Sequence, residues 1–194
     1  MSVLDFTPNG WIQTYTGRKF VVMDPDPECI VIEDIAHSLA NQCRYAGHCL
    51  QFYSVAEHCY HLWALASPEN KHVALMHDAT EAYLVDVPRT VKEALGDYRP
   101  LEHKYAEIIA KRFNLEYPWP EEVHDLDNRI LLDERAQNMP AFRNGKDNYL
   151  PAGYQWCKAE EDGWPFHKSP LNVQLQFWSP WEAEEKFLEA FYAR

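Results

Sequence analysis

Leu75-Met76-His77-Asp78-Ala79-Thr80-Glu81-Ala82-Tyr83-Leu84-Val85-Asp86-Val87-Pro88 is the stretch on which the reading of the whole chain depends. Val73, Met76, His77, Thr80, Glu81 and Leu84 fall at i, i+3, i+4, i+7, i+8 and i+11, the spacing of one helical face. The segment therefore reads as a helix running out into a turn at Asp86-Val87-Pro88. Its inward face carries two ionisable groups one turn apart, His77 and Glu81, with Asp78 beside them. A charge removed from water is costly unless it is paired or bound to a metal. The segment asks for a cation.

Two other helices show the same intrusion. Ser54-Val55-Ala56-Glu57 has the form of a capping box, with Ser54 at the N-cap and Glu57 reaching back. It opens a helix whose apolar stripe is Val55, His58, Cys59, Leu62, Leu65 and Ala66. Downstream, Val123, Leu126, Asp127, Ile130, Leu131 and Glu134 recur at helical spacing. His58 and Asp127 thus occupy slots where a hydrophobe is expected. A single inward His or Asp is more often a hydrogen-bonded core residue than a ligand. Three intrusions on three helices, one of them the His77-Asp78 doublet, favour a metal site. Two imidazole nitrogens and two carboxylate oxygens suit one divalent ion of the Mn, Co, Zn, Fe or Ni type better than Mg or Ca, with Mg still admissible.

Around this centre the pattern is mainly α. Trp11–Tyr15 and Phe20–Met23 flank Thr16-Gly17-Arg18 as a β-hairpin over about 10–24. A helix is expected from Glu33 to about Tyr45, with Gly47 as its stop. Pro88 opens a short helix to about Leu95, and Pro100 suits the first turn of another carrying Leu101, Tyr105, Ile108, Ile109 and Arg112. Pro118 and Pro120 end it. The helical core spans about 33–139, and an aromatic- and proline-rich loop covers 140–170. Leu171, Val173, Leu175 and Phe177 alternate with polar residues, which predicts a strand able to pair with the hairpin. Ser179-Pro180-Trp181-Glu182 starts the last helix. All 194 residues fit one domain, a helical bundle with a small antiparallel β element.

A net charge of -12 argues against duplex nucleic acid as a partner. A small anionic substrate remains compatible, because a bound divalent cation inverts the local field. The five cysteines form no CxxC pair, and the amino terminus has neither a basic nor an apolar export region. No stretch approaches a membrane span, so a soluble, cytoplasmic protein is expected. The aromatic loop and acidic final helix suit contacts between subunits, so a homo-oligomer is expected as well.

The order His58, His77-Asp78, Asp127 resembles the H…HD…D signature of the HD-domain metal-dependent phosphohydrolases. Arg44-Tyr45, Ser54 to His58, His77 to Glu81, Asp86-Val87-Pro88 and Val91-Lys92 are similar, in order and spacing, to the bacterial 5'-deoxynucleotidase branch. Cys43-Arg44-Tyr45-Ala46-Gly47-His48 and Phe52 to Ala56 look still more like small HD hydrolases of phages and prophages. The resemblance covers roughly Gly10 to Met139. It implies an HD-domain helical bundle with one divalent ion held by His58, His77, Asp78 and Asp127. It implies Glu81 as acid or base, Arg44 on the phosphate and Asp86 facing the sugar. Tyr45 is a candidate for stacking on the base, and His48 for touching phosphate. Hydrolysis of a deoxynucleoside 5'-monophosphate is the first expectation. Triphosphate release from a deoxynucleoside triphosphate is the second, with Lys92, Arg89 or Lys104 meeting the longer anion, and a non-catalytic nucleotide-binding regulator is the third.

Overall fold

The computed structural model describes residues 10–140 and 168–193. Strands β1 (Trp11–Gln13) and β2 (Lys19–Val21) pair antiparallel, with Ile12 opposite Phe20. Gly17 turns the hairpin at φ 82°, a left-handed value that costs glycine little. Asp34 accepts from the Thr16 N–H at 2.7 Å and from its hydroxyl at 3.0 Å, fastening the turn to helix α1 (Ile32–Asn41).

The remaining α-helices are α2 (Val55–Leu65), α3 (Lys71–Met76), α4 (Glu81–Leu84), α5 (Arg89–Ala94), α6 (Tyr98–Phe113), α7 (Glu121–Asn138) and α8 (Pro180–Tyr192). Phe20, Ile35, Leu39, Val55, Cys59, Met76, Tyr105 and Phe187 belong to one buried cluster that joins the hairpin, α1, α2, α6 and α8. Leu62, Val73, Val123, Leu126 and Ile130 form a second between α2, α3 and α7. Helix α2 contributes to both, so its inward face is surrounded. Among the described residues no helix is long and apolar enough to cross a membrane.

Four sequence-based expectations need correction. The first helix stops at Asn41 rather than near Tyr45. Beyond it Arg44 N–H donates to Tyr53 O at 2.9 Å, Cys43 bridges Ser54, and Tyr45 and Ala46 take positive φ of 57° and 50°. The chain there clips Cys43 and Arg44 onto the start of α2 and then makes a tight turn over Tyr45–Gly47, so it is not the end of α1. The stretch Leu75–Leu84 is two helices, because i→i+3 bonds from Ala79 N–H to Met76 O (3.0 Å) and Glu81 N–H to Asp78 O (2.9 Å) tighten the turn between them.

The capping box at Ser54 is half present: Ser54 Oγ accepts from Glu57 N–H at 3.0 Å, but the Glu57 carboxylate faces elsewhere. It accepts from the backbone N–H groups of Gln176 (2.7 Å), Phe177 (3.0 Å) and Trp178 (2.8 Å). Among the described residues the predicted carboxy-terminal strand has no sheet partner, and positive φ at Asn172 (62°) and Phe177 (55°) interrupts it. Leu171, Val173 and Leu175 do face inward, but the backbone is held by helices, with Leu171 N–H on Asp133 (2.7 Å) and Leu175 N–H on Gln137 (3.1 Å). The expected capping box does form at α8, between Ser179 and Glu182. The 140–170 loop lies largely outside the described residues.

The Glu57 contact leads to a prediction. Glu57→Ala leaves three backbone N–H groups without their charged acceptor. We expect a loss of about 2–3 kcal/mol in urea unfolding. Increased amide exchange should be confined to 171–179.

Candidate metal centre

Helices α2 and α7 and the tightened turn after α3 gather His58, His77, Asp78 and Asp127, with each carboxylate within 3.9 Å of both imidazole Nε2 atoms. Neighbours on a regular helix diverge by about 100°. His77 and Asp78 nevertheless converge, His77 Nε2 lying 3.3 Å from Asp78 Oδ2. His58, fully buried on α2, places Nε2 3.4 Å from His77 Nε2 and 3.6 Å from Asp78 Oδ2. Asp127, on the second turn of α7, stands 3.3 Å from His58 Nε2 and 3.9 Å from His77 Nε2. Ligands held 2.0–2.2 Å from an ion stand roughly 3.0–3.6 Å apart. All but one of these separations lie in that window, and the His77–Asp127 separation of 3.9 Å exceeds it slightly.

The outer nitrogens decide what the inner ones can do. His58 Nδ1 is 2.7 Å from Glu134 Oε1, and His77 Nδ1 is 2.8 Å from Ala74 O. Both partners only accept, so both Nδ1 atoms carry hydrogen and a neutral ring presents a bare Nε2 to the centre. Two lone pairs and two carboxylate oxygens then face one another. Protons can fill the gap, at the cost of two imidazolium charges 3.4 Å apart. One divalent cation supplies the same charge without that repulsion. The donor set fits a metal ion.

The electrostatics point the same way. Burial presses the His77 imidazole down, but the Asp78 carboxylate outweighs it and leaves it well above the ordinary histidine range. Burial raises Asp78, while His77, His58 and Arg44 pull it far below the carboxylate range. Such a cluster retains protons that a cation would displace. Cys59 completes an overlapping triad with His77 and Asp78. Burial pushes its thiol up to about 11, so it stays protonated and is a poorer ligand than Asp127.

Glu134 was not assigned to the site from the sequence, although it occupies the α7 stripe seven residues after Asp127. It is fully buried and gathers His58 Nδ1, the Tyr45 hydroxyl and Arg44 Nη2 (3.3 Å). Burial raises its carboxyl, but Arg44 and His58 more than compensate and hold it at about 2. Arg44 also reaches Asp78 at 3.6 Å. One carboxylate thereby orients a candidate ligand and a cleft-lining cation together, as outer partners of metal sites commonly do.

No family model matches the chain. Over 125 residues it is 41% identical to the uncharacterized protein YfdR of Escherichia coli strain K12, an alignment covering 64% of this chain and 70% of that protein. The chain belongs to the YfdR family. Over 115 residues it is 38% identical to the uncharacterized protein RCAP_rcc00048 of Rhodobacter capsulatus, covering 54% and 59% of the two chains.

In this YfdR-family chain a cleft of about 580 Å³ opens beside the centre, and Arg44, Tyr45, Glu81, Asp86 and Lys92 all line it together with His77, Asp78 and Asp127. Burial, then Asp78 and Asp86, push the Glu81 carboxyl well above its usual range against Lys92 and Arg44. Its Oε1 is 3.4 Å from Lys92 Nζ, and its buried Oε2 has no hydrogen-bond partner among the described residues. Among the described residues no side chain caps α5, so Asp86 is not its cap, and Asp86 lines the cleft. His48 is exposed and does not line the cleft. Lys104 is also absent from the lining and donates instead to Met23 O at 3.0 Å.

Proposed function

We propose that this chain is a divalent-metal-dependent phosphohydrolase of the HD-domain type, acting on deoxynucleoside 5'-monophosphates. The observation that supports this most is the set of four acceptor atoms from His58, His77, Asp78 and Asp127, with both outer imidazole nitrogens already committed. His58, His77, Asp78 and Asp127 would hold the ion. When bound, it would acidify a water molecule and draw charge from phosphorus. Arg44, braced by Glu134, offers guanidinium N–H groups to the phosphoryl oxygens. Glu81 has one carboxylate oxygen tied to Lys92 and the other unpartnered, so it can take up or release a proton at the cleft wall. Asp86 can accept from a sugar hydroxyl.

Charge favours the monophosphate over the triphosphate. Arg44, Arg89, Lys92 and Arg99 line the cleft against Asp78, Glu81, Asp86, Glu102 and Asp127. Lys92 and Arg99 both pair with Glu102, and Arg44 pairs with Asp78 and Glu134. Among the described residues, Arg89 is the cleft Arg or Lys without a carboxylate partner. One divalent ion then leaves a small positive balance, suited to a dianion and weak for a triphosphate tail.

The test uses chelator-stripped protein reloaded with Mn, Co, Zn or Mg and a panel of mono- and triphosphates. Nucleoside and inorganic phosphate should be released from the monophosphates, with transition metals best. Triphosphate released from dATP would move the reaction to the triphosphohydrolase class. Metal uptake with no turnover of any nucleotide would leave a binding regulator.

A further inference from the structure

The same cleft has an aromatic flank that the phosphate chemistry does not use. Tyr117, Trp119, His103 and His124 line it together with the metal-site residues. Trp119 is half-buried and packs on the second hydrophobic cluster while also lining the cleft. Tyr117 meets it edge-on, ring centroids 4.8 Å apart at 84°. The Tyr117 hydroxyl bonds His103 Nδ1 on α6, so this pair is braced from a second helix. His124 lies three residues before Asp127 on α7, roughly 4.5 Å along the helix axis. The aromatic flank therefore begins about one turn from a metal ligand.

We propose that Trp119, braced by Tyr117, is the platform on which the planar base of the substrate stacks while its phosphate sits at the His58–His77–Asp78–Asp127 centre. This rests on the nucleotide reading above and adds to it the feature that separates a nucleotide from other phosphate monoesters. A fixed indole face loses little freedom on binding and accepts any base, since stacking does not read the base edge. Hence the platform favours nucleotides over base-free sugar phosphates and discriminates weakly among bases.

The experiment compares dAMP, dTMP and 2-deoxyribose 5-phosphate, the last lacking a base, on the metal-loaded full chain. Calorimetric binding to metal-free protein is measured alongside kcat and KM. Trp119→Ala should weaken dAMP binding and raise its KM about tenfold, leaving deoxyribose 5-phosphate within about twofold. Trp119→Phe should recover most of the loss, which guards against a general folding defect because Trp119 also packs on the core. Equal weakening of both ligands, or none for dAMP, overturns the platform. A parent chain that hydrolyses both equally well remains a phosphohydrolase but loses the platform. Base-dependent binding through Trp119 without hydrolysis keeps the platform and removes the hydrolase. Absence of any nucleotide binding removes both.

Discussion

Asp127→Ala, in protein stripped and then reloaded with Mn or Co, is expected to abolish stoichiometric metal uptake and lower phosphomonoester turnover at least about 100-fold. Substitutions that only support a metal ligand already cost about 10- to 100-fold, and Asp127 itself faces His58 Nε2 at 3.3 Å. The fold should survive, because its side chain is only partly buried, at 28% exposure. Elemental analysis and activity are the measurements, with circular dichroism as the control for folding. Full metal occupancy in the variant would show that the ion is bound elsewhere. His77→Ala should give the same loss, since His77 Nε2 is near both carboxylates.

Replacing Glu134 should have the second-largest effect, and should touch stability and function together. Glu134→Ala strands Arg44 without its buried partner and frees the His58 ring from its orienting bond. Removing one member of a buried charge pair costs about 3–5 kcal/mol, and losing a ligand's outer partner costs about 10- to 100-fold in metal affinity. Glu134→Gln keeps an acceptor for His58 Nδ1 but not the charge, so it should retain more metal affinity than the alanine. The acid limb of stability reports the same group. Burial alone raises the Glu134 carboxyl, but Arg44 and His58 hold it at about 2, below the 4.5 of an unperturbed glutamate. A depressed carboxyl stabilises the fold fully above its unfolded value and loses that contribution as pH falls toward the folded one. In metal-free protein, urea midpoints between pH 4.5 and 2 should therefore fall more steeply for the parent than for Glu134→Gln. Parallel curves would mean that the carboxylate is not the buried anchor described above.

Much of the site was legible because its exceptions are local. His58, Asp127 and the His77-Asp78 doublet each break an apolar stripe, and a stripe can be read from spacing alone. The same periodicity placed α2, α6 and α7, and the Ser179–Glu182 box marked α8. The break after Met76 was not legible. Residues in the tightened turn keep helical backbone angles and hydrophobic spacing, and only the hydrogen-bond ladder changes. The role of Glu57 was misread for a related reason. A carboxylate three residues after a cap looks the same in sequence whether it turns back to the cap or across to the amides of 176–178.

From its sequence alone this chain is a helical protein with a short hairpin and a metal-competent set of His and Asp side chains. Apolar periodicity and the cost of burying charge are enough for that. Only the tertiary structure decided that Glu134 braces both His58 and Arg44, that residues 171–178 lie against helices and not against β1 and β2, and that Trp119 shares a cleft with His77, Asp78 and Asp127. Those pairings join residues up to 121 positions apart. Chain spacing carries no information about such contacts until packing brings the elements together.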